Sequence, residues 1–301
     1  MPSPMSKSTP SEGLTGPVDP APDEVETPVP SDEQATRQIV VVKIGGSTLG
    51  TNDTTLADLV NLQRKGVRPV VVHGGGKVIT EWLEKQGIRP KFVRGLRVTD
   101  DRTLDVVVAV LTGLVNKSLV LGINALGGNA VGLSGVDGGL LRATPHSPEL
   151  GHVGRVTKVD PSPIVNLLKS GCIPVIAPVA MNAETGSSPS MLNINADLAA
   201  GEIAAALGAD RLLMLTDVPG VLDSSKRLIP RLTGRQAKGL MTSRIVAGGM
   251  IPKLEACLTA LSTVANAHIV DGRRPHVLLD SLPRAGSGKC DAGRPLGTRV
   301  G

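Results

Sequence analysis

Glycine-rich turns directly follow the first two β-like runs of the chain. Residues 43–47 (KIGGS) end the first run, and residues 73–77 (HGGGK) end the second and lead into a helical pattern. Glycine lets backbone N–H groups approach an anion closely, and the N-terminus of the following helix favours negative charge. Either turn alone is explained as well by a tight βα connection. Two of them, with a lysine on the first strand, indicate phosphate chemistry, although neither has the spacing GxxxxGK[ST] or GxGxxG.

Three later segments place polar residues at the ends of predicted elements. Residues 193–197 (NINAD) begin a helix, residues 215–220 (LTDVPG) follow a strand, and residues 248–253 (GGMIPK) open another helix. Each has an ordinary structural explanation, namely a helix N-cap at Asn195 or Asp197, a turn, and a proline in a first helical turn. Their occurrence together, in this order, is much more specific than any one of them.

The elements that must position these residues alternate between strand and helix. This alternation predicts an α/β fold with an open, mostly parallel sheet and helices on both faces, in which ligands bind beyond the carboxyl ends of the strands. A hairpin is expected within residues 138–158, with 140–142 facing 153–156. The predicted strands are 39–44, 69–73, 130–133, 173–177, 211–216 and 267–270, and the predicted helices are 56–65, 77–86, 102–125, 163–169, 196–207 and 251–261.

Composition narrows the function classes. The chain has 301 residues, 41% of them hydrophobic, yet Trp82 and Phe92 are its only aromatic residues. A protein that stacks nucleic acid bases needs more aromatic side chains. Residues 1–37 are acidic and rich in proline and are expected to be a disordered tail, so the net charge of +5 understates the basic excess of the rest. Because the basic residues are scattered, that excess favours an anionic small substrate over nucleic acid.

Cysteine and histidine usage argues against disulfides and metal sites. The three cysteines, Cys172, Cys257 and Cys290, are far apart and form no CxxC pair, so neither a disulfide framework nor a thiolate zinc site is indicated. The histidines have no metal-ligand spacing, so no protein-bound metal is expected. No secretory signal is visible, and no run is expected to be long and apolar enough to span a bilayer. We therefore expect a soluble cytoplasmic protein with no membrane partner.

With these motifs in order, the chain resembles the acetylglutamate kinases, which are members of the amino acid kinase family. The resemblance extends from residue 39 to about 278 and implies a three-layer α/β/α sandwich in two lobes. It implies an N-terminal lobe at 38–182, which binds the amino acid and dimerises, and an ATP-binding lobe at 183–301. The matching segments are VVKIGGS, VVHGGGK, RGLRVTD, GLVNK, GLSGVDG, IPVIAPV, NINAD, LTDVPGVL, GGMIPK and AHIVDGR.

The resemblance also assigns roles to residues. Lys43 and Lys253 match the two catalytic lysines of the family, and Asp197 matches the acidic residue that holds them in position. Substrate-binding positions fall on Gly75, Gly76, Arg97 and Asn193, and phosphate- or nucleotide-binding positions fall on Gly45, Gly46, Asp217, Gly220, Gly249 and Met250. Outside this set, His73 is interpreted as the end of a strand, Arg94 as a surface charge and Asp137 as a turn residue.

The implied activity is phosphorylation of the γ-carboxylate of N-acetyl-L-glutamate by ATP with Mg²⁺, in arginine biosynthesis. A sibling kinase for carrier-linked aminoadipate stays open, although residues 95–97 (GLR) favour acetylglutamate. A silent ligand-binding protein on the same fold also stays open, although it has no need for Lys43, Asp197 and Lys253 together. The proline-broken tail and an insertion at 285–295 lead us to expect a homodimer rather than a hexamer, with weak or no feedback by arginine.

Overall fold

An eight-stranded sheet lies at the centre of the structure, a computed structural model that describes residues 38–45, 54–184, 190–282 and 295–301. Gly46, the tail, most of the 285–295 insertion and Cys290 therefore lie outside the described residues. The strands are β1 (Ile39–Ile44), β2 (Arg68–His73), β3 (Phe92–Val93), β4 (Leu96–Arg97), β5 (Ala130–Ser134), β6 (Leu141–Pro145), β7 (Val153–Val159), β8 (Ile173–Ala177), β9 (Val179–Asn182), β10 (Met191–Ile194), β11 (Arg211–Thr216), β12 (Arg231–Leu232), β13 (Asn266–Asp271) and β14 (Gly297–Val300).

Helices cover both faces of this sheet. They are α1 (Thr55–Arg64), α2 (Gly76–Lys85), α3 (Asp101–Val108), α4 (Asn116–Ala125), α5 (Ser162–Lys169), α6 (Ala196–Leu207), α7 (Gly234–Thr242), α8 (Met250–Ala260) and α9 (Val277–Asp280). One apolar cluster joins the sheet to α5, α6 and α8, and a second joins its other face to α1, α4 and α9. The predicted three-layer α/β fold is confirmed, and each predicted strand and helix is present.

The strand order brings the two glycine turns together. The order is β12-β14-β13-β11-β1-β2-β8-β5, and every neighbouring pair is parallel except β13 with β14. Adjacent β1 and β2 are buried along nearly their whole length, as expected for β-branched runs in a sheet covered on both faces. Their carboxyl ends therefore present Lys43 and the turn after His73 at one edge.

A small closed barrel of β6, β7, β9 and β10 stands beside this edge. The predicted hairpin is confirmed, but its predicted register was wrong. Arg142 pairs with Lys158 and Ala143 with Val156, because a bulge between Arg142 and Ala143 shifts the pairing. The strands β9 and β10 were not predicted, and β10 carries Asn193.

One continuous helical stretch, Asp101–Ala125, is long and apolar enough to cross a bilayer by length and composition, with a mean hydropathy of 2.1. The expectation that no run would be so apolar was wrong. A single such helix is weak evidence for a membrane span, because buried helices of soluble proteins pass the same test. Here Val107, Leu111, Leu119 and Ile123 are buried against the rest of the chain.

The contact between α6 and α8 fixes two of the predicted catalytic residues, because α6 carries Asp197 and α8 carries Lys253. The helices approach closely at Gly201, where an added Cβ would lie 2.6 Å from the carbonyl oxygen of Ala256 and 2.8 Å from its Cα. Only glycine permits this distance between backbones. By contrast, Gly239 in α7 has open space around the same position.

We expect Gly201→Ala to lower the free energy of unfolding by about 1–3 kcal/mol, because the added methyl group must push the two helices apart. The control Gly239→Ala adds the same methyl group without a clash and should raise stability by about 0.5–1 kcal/mol, through helix propensity alone. Urea denaturation of both variants measures the difference. Equal shifts in both would contradict a close helix contact at Gly201.

Candidate active site

A pocket of about 190 Å³ opens at the carboxyl ends of β1 and β2. Its walls come from the turn after β2, from the β3–β4 hairpin, from β10 and from the first turn of α6. This is the edge of the sheet at which the sequence predicted a ligand. The lining residues include Lys43, Gly74, Gly75, Gly76, Phe92, Arg97, Leu111, Asn193, Asn195 and Asp197.

A buried carboxylate holds two lysines beside the pocket. The Nζ atom of Lys43 lies 2.8 Å from Oδ1 of Asp197, and the Nζ atom of Lys253 lies 2.9 Å from Oδ2 of the same residue. Asp197 stands in the first turn of α6, where the Asn195 side chain caps the helix by accepting from the N–H groups of Asp197 and Leu198. Asn195 is thus the N-cap, and Asp197 is free to pair with the lysines.

This cluster carries a net positive charge when all three groups are ionised. Burial lowers the pKa of Lys43, and Asp197 opposes that effect. Burial alone would raise the pKa of Asp197, but the two ammonium groups outweigh it and hold that pKa below its usual value. One carboxylate cannot neutralise two ammoniums, so the cluster attracts an additional anion.

Arg97 is anchored on one side and open on the other. Its Nη2 donates to the carbonyl of Gly76 and to the hydroxyl of Thr80, each at 2.9 Å, and its guanidinium carbon lies 4.7 Å from the ring centre of Phe92. Within the described part of the chain, its buried Nη1 has no hydrogen-bond partner. A guanidinium held this way in a pocket wall fits a carboxylate ligand.

The turn after β2 places backbone donors in the same pocket. The N–H of Gly74 donates to the carbonyl of Ile44 at 3.0 Å, which ties the turn to the end of β1. Gly75 and Gly76 then begin α2, and the N–H groups of a first helical turn have no partner within their own helix. Both glycines line the pocket.

The remaining predicted residues lie partly at this pocket and partly away from it. The Asn193 side chain lines the pocket and donates to the hydroxyl of Thr99 at 3.1 Å. The predicted nucleotide positions do not line this pocket: Asp217 and Gly220 follow β11, and Gly249 and Met250 begin α8. Gly45 ends the described part of the first turn.

The structure also shows two residues of the site that the sequence analysis did not predict. Phe92 and Thr99, which hold Arg97 and Asn193, were not predicted. Arg94 is exposed in the β3–β4 turn, and Asp137 accepts from the backbone and hydroxyl of Ser134, so the structural interpretations of these two residues are confirmed. Among the described residues, no group of three His, Cys, Asp or Glu side chains is arranged to hold a metal ion.

We expect Asp197→Asn to lower the free energy of unfolding at pH 7 by about 3 kcal/mol or more, because two buried ammoniums lose their partner. The pKa of Asp197 is lowered in the fold, so its contribution is complete above the unfolded-state value of about 4 and is lost as pH falls through the folded-state pKa. Urea denaturation should therefore show the same gap to wild type at pH 7 and pH 5 and a smaller gap at pH 3.5, as Asp197 begins to be protonated in the unfolded state. A gap that widens would contradict the ion-pair assignment.

Comparison with known proteins agrees with this geometry. Residues 38–271 match the family model described as "Amino acid kinase family". The chain is 44% identical over 265 residues to acetylglutamate kinase of Dehalococcoides mccartyi, covering 87% of this chain and 97% of that one. It is 50% identical over 248 residues to acetylglutamate kinase of Acaryochloris marina, covering 80% and 86%.

Solved structures show the same fold. The crystal structure of smu.665 from Streptococcus mutans matches with a TM-score of 0.71 at 28% identity, covering 87% of this chain and 98% of that one. Carbamate kinase from Giardia lamblia bound to AMP-PNP matches with a TM-score of 0.62 at 15% identity, covering 88% and 98%, and this second likeness concerns the fold alone. The chain belongs to the amino acid kinase family and, within it, to the acetylglutamate kinases.

Proposed function

We propose that this chain transfers the γ-phosphoryl group of ATP to the γ-carboxylate of N-acetyl-L-glutamate, giving N-acetyl-L-glutamyl 5-phosphate and ADP in arginine biosynthesis. The relatives that match nearly the whole chain are named acetylglutamate kinases. The observation that carries the proposal is the pair of lysines held on Asp197 at a pocket that also contains Arg97. We place the reaction in the cytoplasm.

The reaction requires neutralisation of charge rather than a general base. A γ-carboxylate is already ionised at neutral pH, so it attacks phosphorus without losing a proton. One carboxylate oxygen forms the new O–P bond while the bond between the γ-phosphorus and the bridging oxygen of ADP breaks. Charge spreads over the equatorial oxygens of the transferred group, and Lys43 and Lys253 are the cations that face it, with Asp197 orienting both.

The acceptor side of the pocket has the donors that an N-acylated dicarboxylate needs. The Nη1 of Arg97, which has no partner among the described residues, is assigned to the α-carboxylate, and Asn193, positioned by Thr99, is assigned to the amide part of the substrate. The N–H groups of Gly75 and Gly76 are assigned to carboxylate and phosphoryl oxygens. These assignments place the acceptor site in residues 38–182, apart from Asn193.

The nucleotide side is assigned to the second lobe, residues 183–301. Asp217, Gly220, Gly249 and Met250 are given nucleotide contacts, with Gly45 and Gly46 at the phosphates. Asp217 lies close enough to Lys43 to influence its pKa. Because the described residues offer no ready metal site, Mg²⁺ is expected to arrive on the ATP phosphates, where it neutralises their charge.

A homodimer fits the exposed apolar face of the long helix. Leu114 is 42% exposed and Leu121 is 70% exposed, and residues seven apart lie on one face of a helix. A second copy of the chain is the occupant we assign, because the helix lies within residues 38–182, the lobe that the family resemblance gives to dimerisation.

We expect Lys253→Ala to lower kcat by about 10²–10³-fold in a Mg-ATP assay with hydroxylamine trapping, because one of the two cations at the transferred group is removed. Lys238→Ala, which removes an exposed lysine of α7, is the control and should match wild type. Hydroxamate should form from N-acetylglutamate and not from glutamate, aspartate or N-acetylaspartate. If none forms with the wild type, the chain acts on a carrier-linked substrate or is a silent binding protein.

We expect Leu121→Glu to convert the dimer into a monomer, because two carboxylates would be buried at the centre of the interface. Light scattering coupled to size-exclusion chromatography gives the mass. The matched control is Ile245→Glu, which changes another exposed aliphatic residue, 44% exposed, in the other lobe. A dimer that survives Leu121→Glu, or a monomeric wild type, would contradict this interface.

A further inference from the structure

A buried histidine and a buried asparagine meet behind the glycine turn of the pocket. His73, the last residue of β2, is 1% exposed, and Asn116, the first residue of α4, is also 1% exposed. The Nδ1 atom of His73 lies 3.0 Å from the carbonyl oxygen of Gly74, and its Nε2 lies 3.2 Å from Nδ2 of Asn116. Neither residue lines the pocket, and neither is assigned a role above.

The hydrogen bonds define one arrangement of the imidazole. A carbonyl oxygen only accepts, so Nδ1 carries the proton and donates to Gly74, and Nε2 accepts from the Asn116 amide. The amide orientation is set independently, because Nδ2 also donates to the carbonyl of Val175 at 2.9 Å and Oδ1 accepts from Lys117 at 3.1 Å. The ring therefore has one tautomer that satisfies both neighbours.

The imidazole stays neutral over the physiological range. Burial lowers the pKa of His73 to about 4, and the nearby charges of Lys117 and Lys43 act in the same direction. Protonation would require Nε2 to donate toward the amide N–H of Asn116, which cannot accept. The hydrogen bond to Gly74 is thus constant at the pH values at which a biosynthetic kinase works.

The long helix supplies both supports of the turn. Residues Ala109–Val115 form a π-helical segment between α3 and α4, and such segments are frequent at functional sites because they re-aim side chains. Leu111, within the segment, packs against Gly75, where an added Cβ would lie 2.7 Å from its Cδ2. Asn116 follows the segment directly and reaches His73.

The turn is therefore held at three places. Its Gly74 N–H is bound by Ile44, its Gly74 carbonyl is bound by His73, and its Gly75 backbone rests on Leu111. The N–H groups of Gly75 and Gly76, at the start of α2 beside the pocket, have no backbone partner among the residues that the structure describes. Fixed backbone donors aimed at a developing anion lower a barrier only if they do not have to reorganise.

We propose that His73 and Asn116 are positioning residues that aim the N–H groups of Gly75 and Gly76 at the acceptor carboxylate and the transferred phosphoryl group. This inference rests on the proposed function, since it names what those donors bind. A purely structural role would only tie β2 to the neighbouring strands. The two roles differ in the quantity they change: instability lowers the amount of active enzyme, whereas a misaimed donor weakens the affinity for the acceptor.

The first test replaces Asn116 by leucine, which has similar volume and no donor. We expect KM and the calorimetric Kd for N-acetylglutamate to rise about 10-fold to 100-fold, as for a small misplacement of binding groups, while KM for Mg-ATP changes less than about twofold. The matched control is Asn124→Leu on the same helix. The Asn124 side chain donates to the carbonyl of Ala130 and accepts from its N–H, and neither residue lines the pocket. This control should leave both KM values unchanged.

The second test is rescue at His73. His73→Leu removes the bond to Gly74 and should raise KM and Kd for N-acetylglutamate as Asn116→Leu does. His73→Asn places an amide N–H where Nδ1–H stood, so it should restore most of the affinity. If both His73 variants bind N-acetylglutamate like wild type, or if all variants lose only stability, the positioning role is refuted.

The wild type separates this inference from the proposed function. A wild type that binds N-acetylglutamate without phosphorylating it refutes the proposed function, while the Kd series still decides the positioning role. A wild type that neither binds nor phosphorylates it overturns both. Should Asn116→Leu fail to fold, the comparison of His73→Asn with His73→Leu decides the question alone.

Discussion

The whole site depends on one carboxylate that holds two ammonium groups. Bringing Lys43 and Lys253 together out of water costs desolvation energy and like-charge repulsion, and Asp197 offsets both through contacts of 2.8 and 2.9 Å. Because the pairing leaves one positive charge in excess, the cluster is better satisfied by an anion than by water. A phosphoryl group passing from ATP to a carboxylate is such an anion, and during transfer its charge spreads over the three equatorial oxygens.

That requirement constrains elements far apart in the chain. Lys43 lies in β1, Asp197 begins α6 and Lys253 lies in α8, so the ion pairs form only if α6 packs closely on both β1 and α8. The glycine at position 201 permits the close approach of α6 to α8, and Asn195 starts α6 where Asp197 faces the lysines. Packing geometry is thus part of the electrostatics, because a shift of an ångström in either helix would separate a pair.

The sequence predicted the parts of the fold that have strong local patterns. Runs such as Ile39–Ile44 are recognisable because strands buried on both faces are almost entirely apolar, here with Lys43 as the exception. Asp197 and Lys253 stand in specific motifs. The short strands β9, β12 and β14 have no such pattern, and a bulge at Arg142 set a register that no alternation could reveal. Contacts such as Phe92 with Arg97 arise from tertiary packing, so residue types alone could not predict them.

The composition of the helix Asp101–Ala125 does not reveal what its individual residues do. Its apolarity satisfies a membrane criterion, yet its residues have several distinct tasks: Val107 and Ile123 fill the core, Leu111 supports Gly75, and Leu121 is exposed. In a regular α-helix each residue advances by the same angle, with 3.6 residues per turn, so the residues of one face all point in the same direction. One face of an unbroken α-helix could therefore not contact the pocket along one part of its length and the sheet along the next. The π-helical segment changes that phase in mid-helix and leaves Asn116, a polar residue in an apolar run, where it meets His73.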